Sequence, residues 1–180
     1  MAKFHKKSRF LILALIISAS LSAETLENQN NKIFIEANKV EIIEDKNSTE
    51  QLQSPNKIVL TGNVEIKHQD TVLNADKIII EKKADDERDL IASANKNNIV
   101  IFTQKTINPK TRQNTTTICK AKQITYNTKT RDALLNGEAY LQNDQNLIQA
   151  DQITYNANSG EYHADKGKSK QRVKIVISPN

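Results

Sequence analysis

The aliphatic residues of this chain recur at every second position, and that spacing rules out most folds. Ile58, Leu60, Val64 and Ile66 share one parity, with Gly62 between them. Ile78 and Ile80 alternate in the same way, as do Ile99 and Ile101, Ile153 and Tyr155, and Val173, Ile175 and Ile177. A period of two gives a strand one buried face and one wet face. Turn-forming clusters separate the runs: Asp45-Lys46-Asn47-Ser48, Ser54-Pro55-Asn56, His68-Gln69-Asp70, Asn95-Lys96-Asn97-Asn98, Asn143-Asp144-Gln145-Asn146 and Asn158-Ser159-Gly160. No window after residue 24 carries a helical stripe. Short strands between such turns predict an all-β sandwich, jelly roll or barrel.

The chain also repeats itself. A shift of 75 lays Leu60-Thr61-Gly62-Asn63-Val64-Glu65-Ile66 on Leu135-Asn136-Gly137-Glu138-Ala139-Tyr140-Leu141, and Val72–Ile78 on Leu147–Ile153, without a gap. Upstream, Ala37-Asn38-Lys39-Val40 resembles Ala121-Lys122-Gln123-Ile124 at a shift of 84, so the first copy carries a longer loop, around Asp45 to Asn56. A repeat of this kind predicts two similar β units stacked on one another. Gly62 and Gly137 sit mid-run, where a bulge or a close backbone approach needs no Cβ. Asp76 and Asp151 each follow an alanine at what reads as the start of a strand. They read as turn or edge hydrogen-bonders rather than as a catalytic pair.

The first residues have the order of a secretory signal peptide: a basic head (Lys3, Lys6, Lys7, Arg9), an apolar run from Phe10 to Leu21, then the small residues Ser20, Ser22 and Ala23. Twelve residues of helix span only about 18 Å, against a hydrocarbon core of ~30 Å, so cleavage is expected rather than anchoring. The cut falls after Ser22 or after Ala23. Residues 1–23 take with them four of the 26 basic residues and none of the 21 acids, so the net charge falls from +5 to +1. The remaining charges alternate in sign. A nucleic-acid partner is therefore not expected.

Residues that carry catalysis are scarce. There are 3 histidines and a single cysteine, Cys119. No pair has metal-ligand spacing, and 4 glycines cannot build a phosphate-cradling loop. No serine has a nucleophile-elbow setting. One thiol makes no internal disulfide, and Cys119, beside a strand, is expected as a small buried hydrophobe. The chain reads as a non-enzyme without metal or cofactor. With no Trp in the sequence, its core must be built from Ile, Val and Leu.

A set of segments in fixed order resembles a known family. It comprises Leu60-Thr61-Gly62-Asn63-Val64, Asn74-Ala75-Asp76-Lys77-Ile78, Leu135-Asn136-Gly137-Glu138-Ala139-Tyr140-Leu141-Gln142, Asp151-Gln152-Ile153-Thr154-Tyr155, Asp165-Lys166-Gly167-Lys168, and Arg172-Val173 before Pro179. Together these resemble the OstA-like proteins of lipopolysaccharide transport, over Ile33 to Pro179. Leu135-Asn136 departs from the family's usual Leu-Thr, and the insert from Asp45 to Asn56 is additional. The resemblance implies a signal peptide over 1–23 and, over 24–180, an open, twisted β-jelly roll of two antiparallel sheets. It implies a periplasmic protein that shields the acyl chains of lipopolysaccharide and bridges the inner and outer membranes. Its partners would be an LptC-like component of the inner-membrane export complex, an LptD-like outer-membrane translocon and further copies of itself, head to tail. The energy would come from an inner-membrane ATPase.

By the same resemblance, Ile33, Ile35, Phe102 and Tyr126 face the lipid path; Ile58, Leu60, Val64, Ile66, Leu135 and Leu141 are further lipid-binding candidates, with a filled layer beneath as the alternative for them. The first strand, Lys32 to Glu36, and the last, Arg172 to Ile177, are apolar and free of proline. Their edges suit pairing between molecules through Ile33, Ile35, Val173, Ile175 and Ile177. The two edges differ, so the contact is heterologous and can grow as a filament. Three alternatives stand beside this reading. A membrane-anchored LptC-like protein needs a longer N-terminal helix, a glycan hydrolase needs paired acids in a cleft, and a structural β-module needs a filled core.

Overall fold

A computed structural model describes residues 32–43, 55–83, 87–107, 113–156, 159, 161–168 and 171–178. The expected signal peptide, residues 1–23, and nearly all of the Asp45–Asn56 insert lie outside the described residues. The elements are β1 (Ile33–Glu36), β2 (Lys39–Ile43), β3 (Lys57–His68), β4 (Thr71–Lys82), β5 (Arg88–Ser93), β6 (Val100–Ile107), β7 (Asn114–Ala121), β8 (Gln123–Asn127), β9 (Asp132–Asn143), β10 (Asn146–Asn156), β11 (Glu161–Asp165) and β12 (Lys174–Val176). All pairings are antiparallel.

The four long strands β3, β4, β9 and β10 each serve two sheets. One half of each pairs into the order β1-β3-β4-β6-β7-β9-β10-β12, here sheet I. The other half pairs into β2-β3-β4-β5-β8-β9-β10-β11, sheet II. The bend has a local cause. Thr61 pairs with Lys77 and Val64 with Ala75, which leaves Gly62, Asn63 and Asp76 outside the ladder. Asn136 pairs with Gln152 and Ala139 with Ala150, which leaves Gly137, Glu138 and Asp151 outside. Gly62 and Gly137 have φ of 79° and 75°, and Asn63 and Glu138 have 45° and 53°. Bulges of this kind turn a strand sharply and carry it from one sheet into the other.

The other strands change sheet beside these bulges. The β1–β2 link reaches Gly62, where the Asn38 N–H donates to the Gly62 carbonyl at 2.9 Å. The β7–β8 link does the same in the second repeat, Lys122 N–H to Gly137 carbonyl, 2.8 Å. Asp76 receives the Asn95 N–H at 2.6 Å and the Asn98 side-chain amide at 2.9 Å, which holds the β5–β6 link. Gly167, on the β11–β12 link, packs against Asp151. All described crossings thus lie along one side, a spine, and the hairpin turns lie along the two opposite rims.

Three sequence expectations need correction. Asp76 and Asp151 lie in the middle of β4 and β10, not at strand starts, because the bend interrupts one continuous strand. In β6 the buried parity is Val100, Phe102 and Gln104, not Ile99 and Ile101. The expected outer strands are also shorter than read, Ile33–Glu36 and Lys174–Val176.

Candidate functional site

The inward side chains line up in rows that run across the strands, because directly opposed residues share a face. In sheet I one row is apolar from end to end. Ile35 pairs with Ile66, Ile66 with Leu73, Leu73 with Phe102, and Phe102 with Cys119. Cys119 then pairs with Leu141, Leu141 with Ile148, and Ile148 with Ile175. Sheet II faces it with two such rows. The one nearer the spine runs from Val40 through Leu60, Ile78, Ala92, Ile124, Leu135 and Ile153 to Ala164. The other runs from Ile42 through Ile58, Ile80, Leu90, Tyr126, Ala133 and Tyr155 to Tyr162.

Burial along these rows is uneven. The middles are core: Leu73, Ile78, Ile80, Ala92 and Ile153 are buried. The ends are not. Ile35 is 42% exposed and Ile42 60%, and at the far end Ile175 is 57% exposed. An aliphatic face this exposed costs about 25 cal/mol per Å² left in water, so it marks a surface that something else covers.

Polarity changes with depth. Nearest the rim, the inner face of sheet I carries His68, Thr71, Gln104, Thr117, Asn143 and Asn146 in one row of opposed pairs. Gln104 and Thr117 in this row are buried. In sheet II the phenols of Tyr126, Tyr155 and Tyr162 stand in the row nearer the rim. Tyr155 and Tyr162 stack with ring centroids 4.6 Å apart. An interior that is aliphatic at the spine, with a polar row along the rim of sheet I and three phenols in sheet II, suits an amphiphile lying with its tails inward.

One cavity lies between the sheets. Leu73, Phe102, Cys119 and Leu141 line it from sheet I, and Leu90, Ile124, Tyr126, Ala133, Leu135, Tyr155 and Tyr162 from sheet II. Its volume is about 40 Å³. An engineered cavity of ~150 Å³ takes a benzene ring, so at about a quarter of that volume this one is small for a lipid chain. Burial pushes the Cys119 thiol up to about 12 and raises the Tyr126 phenol. The Tyr126 hydroxyl is buried and has no hydrogen-bond partner among the described residues. Among the described residues no group of His, Cys, Asp and Glu is placed to hold a metal ion.

Residues 35–161 match the profile of a family described as LptA/(LptD N-terminal domain) LPS transport protein. The chain belongs to this family. LptA/LptD N-terminal domain proteins are transport proteins rather than enzymes, which agrees with the scarcity of catalytic residues. The LptA-type jelly roll seen here is also that of LptH, described as the LptA homologous periplasmic component of the lipopolysaccharide transport device from Pseudomonas aeruginosa. The TM-score is 0.63 at 17% identity, covering 83% of this chain and 96% of that one. A search of curated proteins finds no match.

Within this LptA-family fold the expected site residues fall into three groups. Ile33 and Ile35 lie on the inner parity of β1 at one open end. Ile175 is on the inner parity of β12 at the other end, with Val173 half-buried before it and Ile177 exposed after it. Phe102, Tyr126, Leu135 and Leu141 line the cavity together. Ile58, Leu60, Val64 and Ile66 are core neighbours that do not line it.

The sequence reading passes over Val40, Ile42, Leu73, Tyr155 and Tyr162. The shift of 84 that lays Val40 on Ile124 carries the signal for the first two. Tyr155 and Tyr162 meet only through the β10–β11 pairing.

Proposed function

We propose that this protein is a periplasmic carrier that holds the acyl chains of lipopolysaccharide between its two sheets and forms part of a bridge between the membranes. One observation carries this reading: among the described residues the apolar rows run from one edge of the sheets to the other and end exposed, at Ile35, Val40 and Ile42 on one side and Ile175 on the other. Each buried CH₂ of a lipid contributes about 0.8 kcal/mol, so even a short stretch of acyl chain binds usefully there. The polar mouth gives the sugar and phosphate headgroup hydrogen-bonding groups while the tails reach toward the spine. The cavity is too small for a chain as it stands, so loading parts the sheets along their rims.

Bridging follows from the ends. Among the described residues, β1 and β2 leave one pair of edges unpaired and β11 and β12 the other, so copies add head to tail by strand pairing. An LptC-like component at the inner membrane and an LptD-like translocon at the outer membrane would present the complementary edges. Delivery to the periplasm rests on the signal-like residues 1–23.

The test is site-specific photo-crosslinking with lipopolysaccharide. Probes at Ile35, Phe102, Tyr126 and Ile175 are expected to capture the lipid. Ile101 and Ile118, on the outward parity of β6 and β7, are the controls. Capture from the controls alone would overturn the reading.

A further inference from the structure

The molecule already contains one junction of the kind that stacking creates. β5 and β6 close the first repeat and pair with β8 and β7, which open the second. β11 and β12 close the second repeat, and β1 and β2 open the first. The correspondence holds residue by residue. Phe102 pairs with Leu73 and Ile175 with Ile148, two partners 75 apart. Cys119 pairs with Leu141 and Ile35 with Ile66, again 75 apart. The internal contact of Phe102 with Cys119 therefore has its counterpart in Ile175 of one copy beside Ile35 of the next.

We propose that stacked copies adopt the register of this internal junction, and that two charge pairs at the joint select it. Carrying the register across sets Lys174 opposite Glu36, Ile175 opposite Ile35, and Val176 opposite Phe34 in sheet I. In sheet II it sets Asp165 opposite Lys39, Ala164 opposite Val40, and Tyr162 opposite Ile42. This rests on the stacking proposed above and adds which residues meet.

The inner face sorts cleanly, while on the outer face the exposed Val176 and Phe34 make one apolar pair beside the charged ones. On the inner face every pair is apolar, and each row continues into the next copy: Ile148, Ile175, then Ile35 and Ile66. On the outer face Lys174 meets Glu36 and Asp165 meets Lys39. The internal junction has Ile101 opposite Lys120 and Ser93 opposite Gln123 at these places, with no pair of opposite charges. Lys174, Glu36, Asp165 and Lys39 are all exposed, and Lys39 also pairs with Glu41 of its own strand at 2.6 Å. A slip of one residue sets Lys174 against Ile35 and turns every side chain of β12 to the wrong face. Opposite-charge cross-strand pairs favour association, and like charges directly opposed disfavour it.

The experiment uses the full chain with Cys119→Ala. One preparation carries Ile175→Cys and a second Ile35→Cys, and the two are mixed and oxidised with and without lipopolysaccharide. A disulfide-linked dimer is expected from this mixture and not from Ile177→Cys mixed with Ile35→Cys. Separately, Lys174→Glu should weaken self-association roughly five- to tenfold, and adding Glu36→Lys should restore it. Crosslinking of the off-register mixture, or failure of the second charge change to rescue, overturns the register while leaving stacking intact. Mass independent of concentration for the unmodified protein, with and without lipid, overturns the stacking itself.

Discussion

Asn38 lies directly against Gly62: a Cβ added to the glycine would fall 2.6 Å from the Asn38 Nδ2 and 2.9 Å from its Cβ. The backbone at Gly62 is left-handed as well, with φ of 79°. Both conditions exclude a side chain at the point where β3 crosses between sheets.

Gly62→Ala is therefore expected to cost about 2–4 kcal/mol, from the left-handed backbone and the overlap together. Gly137→Ala meets only the Lys122 stem, at 3.0 Å, and should cost less, about 1–2 kcal/mol. Urea unfolding of the two variants measures both. Costs near zero would mean that the spine yields easily.

Tyr126→Phe tests the unpaired phenol. Removing a buried hydroxyl that lacks a partner should leave stability unchanged or raise it by up to about 1 kcal/mol. The same change should weaken lipopolysaccharide binding if the hydroxyl donates to the bound lipid. A clear loss of stability would point to a partner beyond the described residues.

Cys119 predicts an alkaline limit to stability. Its pKa rises from 9.0 to about 12 on folding because burial disfavours the thiolate. Between those values the folded chain keeps a proton that the unfolded chain releases. Stability is thus complete below pH 9 and is lost as the pH rises toward 12. The melting temperature should fall above pH 9, and Cys119→Ala should remove the first part of that fall. Cys119→Ser should leave lipid binding intact, since a neutral buried thiol has no polar task there.

Parting of the sheets can be measured directly. Spin labels at Lys129, in a rim turn of sheet II, and Gln145, in a rim turn of sheet I, report the width of the mouth in the Cys119→Ala background. The distance should grow on lipopolysaccharide binding. Labels at Lys96 and Lys166, near the spine, should hardly move. Equal change at both places would exclude opening about the spine.

Much of this arrangement is legible in the sequence, and the failures have physical reasons. The glycines at 62 and 137 announce bulges because they interrupt otherwise regular alternation. The parity of β6 is not legible, since Ile99-Val100-Ile101-Phe102 is apolar on both faces and alternation cannot phase it. Only the pairing of Leu73 with Phe102 decides. Asp76 reads as a strand start because a strand that bends between two sheets looks like two short strands. The polar inner row is hidden for a related reason. His68, Asn143 and Asn146 belong to stretches that read as turns, while Thr71, Gln104 and Thr117 pass as ordinary wet positions. Their alignment into one row exists only after five separate pairings.

Placing every crossing along one side has a consequence for what such a molecule can discriminate. Among the described residues the apolar rows end exposed, so in the proposed carrier nothing there would measure the length of a guest lying along its axis. Its cross-section is set by the angle between two sheets joined at a single seam, and each further chain must widen that angle against the aliphatic contact it breaks. As the proposed carrier, a container of this shape would gauge how many chains lie side by side and be indifferent to how long they are.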